Sequence, residues 1–95
     1  MVHVEPSPTG ANLVLHVSGH ALIIDRGAAQ VLATTLEEGN HCAVPIQHVH
    51  AGHRLLNALS TDEGDRYLWL DLHGTEIRHD LSAPELRRLI TALRV

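Results

Sequence analysis

Apolar and polar positions alternate with period two in two separate stretches of this chain. Each stretch is followed by a run whose apolar residues recur every three or four positions. Period two marks a strand with one buried face, and spacing of three and four marks a helix with one buried stripe. In the first stretch, Leu13, Leu15 and Val17 are followed by Ser18-Gly19 and then by His20, Leu22 and Ile24. An x-Gly dipeptide between alternating apolar residues predicts a two-residue hairpin turn, because glycine takes the positive φ that such turns need. Pairing outward from the turn sets Val17 against His20, Leu15 against Leu22 and Leu13 against Ile24. In the second stretch, His73-Gly74 plays the same part. It sets Leu72 against Thr75, Leu70 against Ile77 and Leu68 against His79.

The helical runs carry their own end signals. Ser82-Ala83-Pro84-Glu85 has the form of a capping box, with Ser82 as N-cap and Glu85 three positions on. Leu86, Leu89, Ile90 and Leu93 then share one face, and Arg87, Arg88 and Arg94 take the wet one. In the first run Asp25 is the N-cap. Ala29, Leu32, Ala33 and Leu36 form the stripe, and Gly39-Asn40 ends it. Glu37 and Glu38 sit in the last turn, where the helix dipole disfavours negative charge. That conflict points to an exposed, screened helix end, or else to an arginine or an external partner nearby.

Residues 12–38 and 66–94 therefore read as two hairpin-plus-helix units in pseudo-repeat, joined by a histidine-rich middle segment, 40–65. Val2-His3-Val4 adds an edge strand. In the middle segment, Leu55, Leu56 and Leu59 suit a helix over Ala51–Leu59. Pro45 fits either the start of a helix or an edge strand. Ser60 to Asp65 is a polar loop. The expected fold is α+β: an antiparallel sheet of four or five strands with two helices on one face.

Length and composition narrow this further. At 95 residues and 44% hydrophobic, the chain suits one domain over residues 1–95 with one modest core, which association would supplement. No apolar run is long enough to span a bilayer. The opening residues lack the basic start and apolar stretch of a signal peptide, so a cytoplasmic location and no membrane partner are expected. The single cysteine, Cys42, suits a reducing compartment. All seven basic residues are arginine, and lysine and phenylalanine are absent. This is the codon bias of a high-GC genome, a bacterium or its phage. The formal charge of −4 argues against non-specific nucleic-acid binding.

Nine histidines are the unusual feature. His41-Cys42 is followed by His48, His50 and His53, residue types that zinc prefers. His48 and His50 would share a strand face, or His50 and His53 a helix face. These three are the metal candidates, with zinc the ion they would take. No CxxC pair or HExxH helix accompanies them, so no tightly held structural zinc and no other cofactor is expected. Phosphate loops and G-x-S-x-G elbows are absent too, and Asp62, Glu63 and Asp65 lack calcium-loop spacing. Cys42 reads as a small buried hydrophobe.

The outward hairpin faces carry more information. Tyr67, Trp69 and Arg78 point away from the leucines, with Trp69 opposite Arg78 at cation–π reach. These residue types are enriched at binding hot spots. Val14 and Ile23 make the first hairpin's outer face too apolar to stay wet. The expected function is a small, non-enzymatic regulatory module that binds itself as a homodimer, or another protein, through Val14, Ile23, Tyr67, Trp69 and Arg78. Two alternatives stand beside it. One is a metal-binding protein using the middle histidines. The other is a winged-helix-like DNA-binding regulator whose middle helix reads DNA.

Overall fold

Two tight turns anchor the chain's register. Ser18 and Gly19 have φ of 49° and 83°, and His73 and Gly74 have φ of 51° and 89°. Two successive positive φ values define the type I′ turn, whose twist matches that of the flanking strands. The computed structural model describes residues 2–8 and 10–95. In it the first turn joins β2 (Asn12–Val17) to β3 (His20–Asp25), and the second joins β6 (Arg66–Leu72) to β7 (Thr75–Leu81). The pairs read from the sequence form in both hairpins, from Leu15 with Leu22 to Leu70 with Ile77.

The sheet is larger than the expected four or five strands. β1 (Val2–Pro6), β4 (Cys42–His48) and β5 (Gly52–Ser60) complete seven antiparallel strands that lie side by side in chain order. The fold remains α+β, with α1 (Arg26–Glu38) after β3 and α2 (Ala83–Leu93) after β7. The correction lies in the middle segment. The stretch read as a helix over Ala51–Leu59 is β5, which pairs with β4 on one side and β6 on the other. Its leucines are divided between two faces: Leu56 is buried and Leu55 is exposed. Helical spacing there was a coincidence of adjacent leucines, overridden by the two neighbouring strands.

Pro45 lies inside β4, between two other strands. Strand N–H groups alternate sides, and Val49 donates to the carbonyl of Ala21 on the β3 side. Pro45, four residues earlier, would also direct an N–H toward β3. The β3–β4 register covers only Leu22 with His48 and Ile23 with Gln47, so the ladder has ended before Pro45. The proline removes a donor where no acceptor waits.

Every strand turns its apolar set to one face, and both helices pack there. Leu15, Leu22, Leu56 and Leu68 from the sheet meet Leu32, Leu36 and Leu93 from the helices, all nearly fully buried. Each such side chain stabilises the fold by about 2 kcal/mol relative to leaving it exposed. The acidic end of α1 is answered from within: Arg94, just past α2, donates to both carboxylate oxygens of Glu37 at 2.9 and 3.1 Å.

The first turn of α2 joins the two ends of the sheet. Ser82 is the N-cap, its hydroxyl accepting from the N–H of Glu85 at 3.3 Å. The Glu85 carboxylate does not complete a reciprocal box. One oxygen meets His79 Nε2 on β7 at 2.8 Å, and the other accepts the Val2 N–H of β1 at 3.0 Å. Burial works to raise the Glu85 pKa, but His79 and the Val2 N–H outweigh it and hold the carboxyl below the ordinary range. Removing the cap in Ser82→Ala will lower stability by about 1 kcal/mol. Glu85→Ala frees both edge strands and leaves partly buried donors unpaired, so it will cost more, about 2 kcal/mol. Urea denaturation of both variants checks the order; equal midpoints would show that the carboxylate does not hold the edges.

Candidate functional site

Strand alternation leaves the second face of the sheet without a covering layer. Leu13, Leu15 and Val17 face the helices, so Val14 and His16 face away. The same logic puts Ile23, Leu55, Leu59, Tyr67, Trp69 and Arg78 on the outer side. Cross-strand pairing makes neighbours of them: Val14 with Ile23, Pro45 with Leu55, Leu59 with Tyr67 and Trp69 with Arg78. Leu55 is 56% exposed, a large value for leucine in the middle of a strand. All five sequence-predicted partner-binding residues therefore share one uncovered surface. Leu55 and Leu59 do not stand out in the sequence, because with Leu56 their spacing matches a helix rather than a strand. Their place becomes legible only once Pro45 and Tyr67 are known to be their strand partners.

The aromatic end of this face has a defined shape. Leu59, Tyr67, Trp69, Glu76 and Arg78 line a shallow depression of about 490 Å³. Trp69 does pair with Arg78, but the guanidinium lies over Tyr67 instead, 3.8 Å from the ring centroid. Asp80, the cross-strand partner of Tyr67, is the reason: it accepts from Arg78 Nε and Nη2 at 3.1 and 3.0 Å. The arginine is held toward Tyr67, and the indole of Trp69 stays free of it.

Of the middle histidines, His48 points inward and is buried, His50 lies in the turn after β4 with its ring centroid 6.0 Å from that of His48, and His53 points outward from β5. His48 has a different task. Its Nδ1 accepts the N–H groups of His50 and Ala51, each at 3.0 Å, and its Nε2 lies 3.0 Å from His20 Nδ1. Two donors on Nδ1 fix the neutral ring as the Nε2–H tautomer, which donates to His20. Burial, reinforced by the charges of His20, His50 and Arg54, pushes the His48 pKa down. The ring closes the β4–β5 turn in the way an Asx side chain would.

Cys42 is partly buried against the rim of the core. The Asp62–Asp65 loop is a closed turn, in which Thr61 donates its N–H to the Asp65 carbonyl and accepts from the Asp65 N–H through its hydroxyl. The recognition helix that a DNA-reading arrangement would need over Ala51–Leu59 is replaced by a turn residue, Ala51, and strand β5 from Gly52 on. No helix among the described residues is long and apolar enough to cross a membrane. No known protein family, curated protein or solved structure matches this chain.

The role of His48 as a turn acceptor has a stability signature. Its folded pKa lies below the unfolded value of about 6.5, so the unfolded state takes up more protons. Stability will therefore fall as pH drops through and below about 6.5, before carboxylates titrate. His48→Ala will lose about 2 kcal/mol at pH 7.5, because two backbone N–H groups lose their acceptor. His48→Asn supplies an amide oxygen near the Nδ1 position, so it will recover part of that loss and flatten the slope between pH 7 and pH 5.5. Denaturant midpoints at both pH values check this; a slope unchanged in His48→Asn would assign the titration elsewhere.

Proposed function

We propose that this chain is a small non-enzymatic protein-binding module that self-associates through the outer face of its sheet. One observation carries the reading. Val14 and Ile23 from one hairpin and Tyr67 and Trp69 from the other lie on a single surface that no helix covers, with Leu55 exposed among them. Polar residues are interleaved, including Gln47, His53 and Asn57. This mixture is typical of a dissociable interface rather than of a misplaced core.

The shape suits a second copy. The domain measures 37 × 32 × 20 Å along its principal axes, and the outer face runs across seven strands. A stable dimer needs about 800 Å² per partner, and part of that face would have to supply it. Sheet-on-sheet packing is a standard solution for two such surfaces, and a two-fold axis lets the same patch meet itself. Trp69 and Tyr67 would supply the anchors, since a buried aromatic removes a large apolar area from water at little entropic cost. The reading extends to a regulatory or accessory role in the cytoplasm of a high-GC bacterium or its phage, the origin being inferred from the all-arginine basic residues.

Sedimentation equilibrium over a range of concentrations tests the reading. The expected outcome is a reversible monomer–dimer equilibrium. Leu55→Asp and Trp69→Ala will each weaken it by about tenfold or more, while circular dichroism shows the fold retained. A strict monomer up to millimolar concentration would remove self-association. A dimer indifferent to both substitutions would move the interface off this face.

A further inference from the structure

The geometry points to a binding site for a divalent first-row transition-metal ion at one corner of the outer face, formed by His3, Glu5 and His16. His3 and Glu5 are two residues apart on β1, so both point to the same side. His16 on β2 is the direct cross-strand partner of His3. The three side chains converge there. His16 Nε2 lies 2.8 Å from Glu5 Oε1, and His3 Nε2 lies 3.8 Å from Glu5 Oε2. One donor atom from each residue lies within 4.8 Å of the others.

This arrangement is more than a single ion pair, since the two histidines face different oxygens of one carboxylate. Here two imidazoles stack with centroids 4.5 Å apart and planes 12° from parallel, and both aim Nε2 at the same group. Each neutral ring can turn an Nε2–H to the carboxylate, and each can equally present an Nε2 lone pair to a dication that sits between the three groups and takes up the carboxylate's charge. Two imidazoles and one carboxylate are a donor set that suits zinc and its neighbours in the first transition row. Ligand atoms at about 2.1 Å around a tetrahedral ion stand about 3.4 Å apart. The 2.8 and 3.8 Å separations bracket that figure, and all three donor atoms lie within 4.8 Å of one another, so side-chain adjustments of about 1 Å would close the site.

The surroundings define what kind of site this is. Five register pairs join β1 to β2, so the backbone positions of all three ligands are fixed. The side chains of His3 and Glu5 are 58% and 53% exposed, and that of His16 is 32% exposed. With three protein ligands on an open surface, the remaining coordination positions face solvent. The bound ion would be exchangeable rather than structural. Glu5 is the cross-strand partner of Val14, so the site borders the proposed self-association face, but the convergence that carries it does not rest on that reading.

Calorimetric titration of tag-free protein with zinc chloride tests the inference. The expected result is one equivalent bound, weakened at least about tenfold in His3→Ala and in His16→Ala. Loss of a direct ligand should cost no less than loss of an outer-shell partner. The double variant H50A/H53A should bind as the parent does. A second measurement needs no variant: substoichiometric copper(II) should broaden the NMR resonances of residues 3, 5 and 16 before those of residues 48–53. Absence of zinc binding, binding unchanged in His16→Ala, or binding lost with His50 and His53 would each overturn the assignment.

Discussion

A sheet has two faces, and this chain builds only one layer of helices. That constraint governs the rest of the molecule. Seven strands present Leu15, Leu22, Leu56, Leu68 and their neighbours to one side, and α1 and α2 are only long enough to cover that side. The buried leucines provide the driving force for folding. The opposite face must then tolerate water, yet it keeps Val14, Ile23, Leu55 and Trp69. Single exposed apolar residues need no explanation, but large apolar side chains on several strands of one uncovered face do. The functional reading follows from that imbalance rather than from any catalytic signature.

The sheet's two outer strands pose a second problem. β1 and β7 each have one unpaired edge, which can recruit further strands. The first turn of α2 meets both of them. Glu85 accepts from His79 on β7 and from the Val2 N–H on β1. Ser18, at the β2–β3 turn, adds a contact to His79 Nδ1 at 3.3 Å. A sheet curled so that its two edges share one carboxylate offers less straight edge to another chain. The broad outer face remains the more accessible route to association.

Much of this fold was legible because it is local. The type I′ turns at Ser18-Gly19 and His73-Gly74, the caps at Asp25 and Ser82, and the two amphipathic helices depend on residues close together in sequence. The middle segment was not legible for the opposite reason. Leu55, Leu56 and Leu59 have helical spacing, and only pairing with Pro45 and Tyr67 makes that stretch a strand. Counting strands failed with it. The candidate site divides the same way. Tyr67, Trp69, Val14 and Ile23 followed from hairpin parity, whereas the His3–Glu5–His16 corner needs a contact across eleven residues of chain.

The histidines show how burial sorts one residue type into different uses. His48, His20 and His79 face inward, and each has a ring nitrogen engaged by a protein partner. A buried imidazole that left its nitrogens unpaired would lose the free energy of hydrating them, so the fold commits them to turns and edges. His3 and His16 face outward, where water could satisfy either ring at no such cost. Their convergence on Glu5 is therefore not demanded by the core. Closeness in sequence favours His48, His50 and His53 as metal candidates; strand alternation puts His53 on the face opposite His48, while the rings of His48 and His50 stay 6.0 Å apart. In a sheet protein, ligands two residues apart on one strand and directly opposite on the next are nearer than ligands adjacent in the chain. By that rule the outer face of the first two strands is where these histidines can act together on an ion.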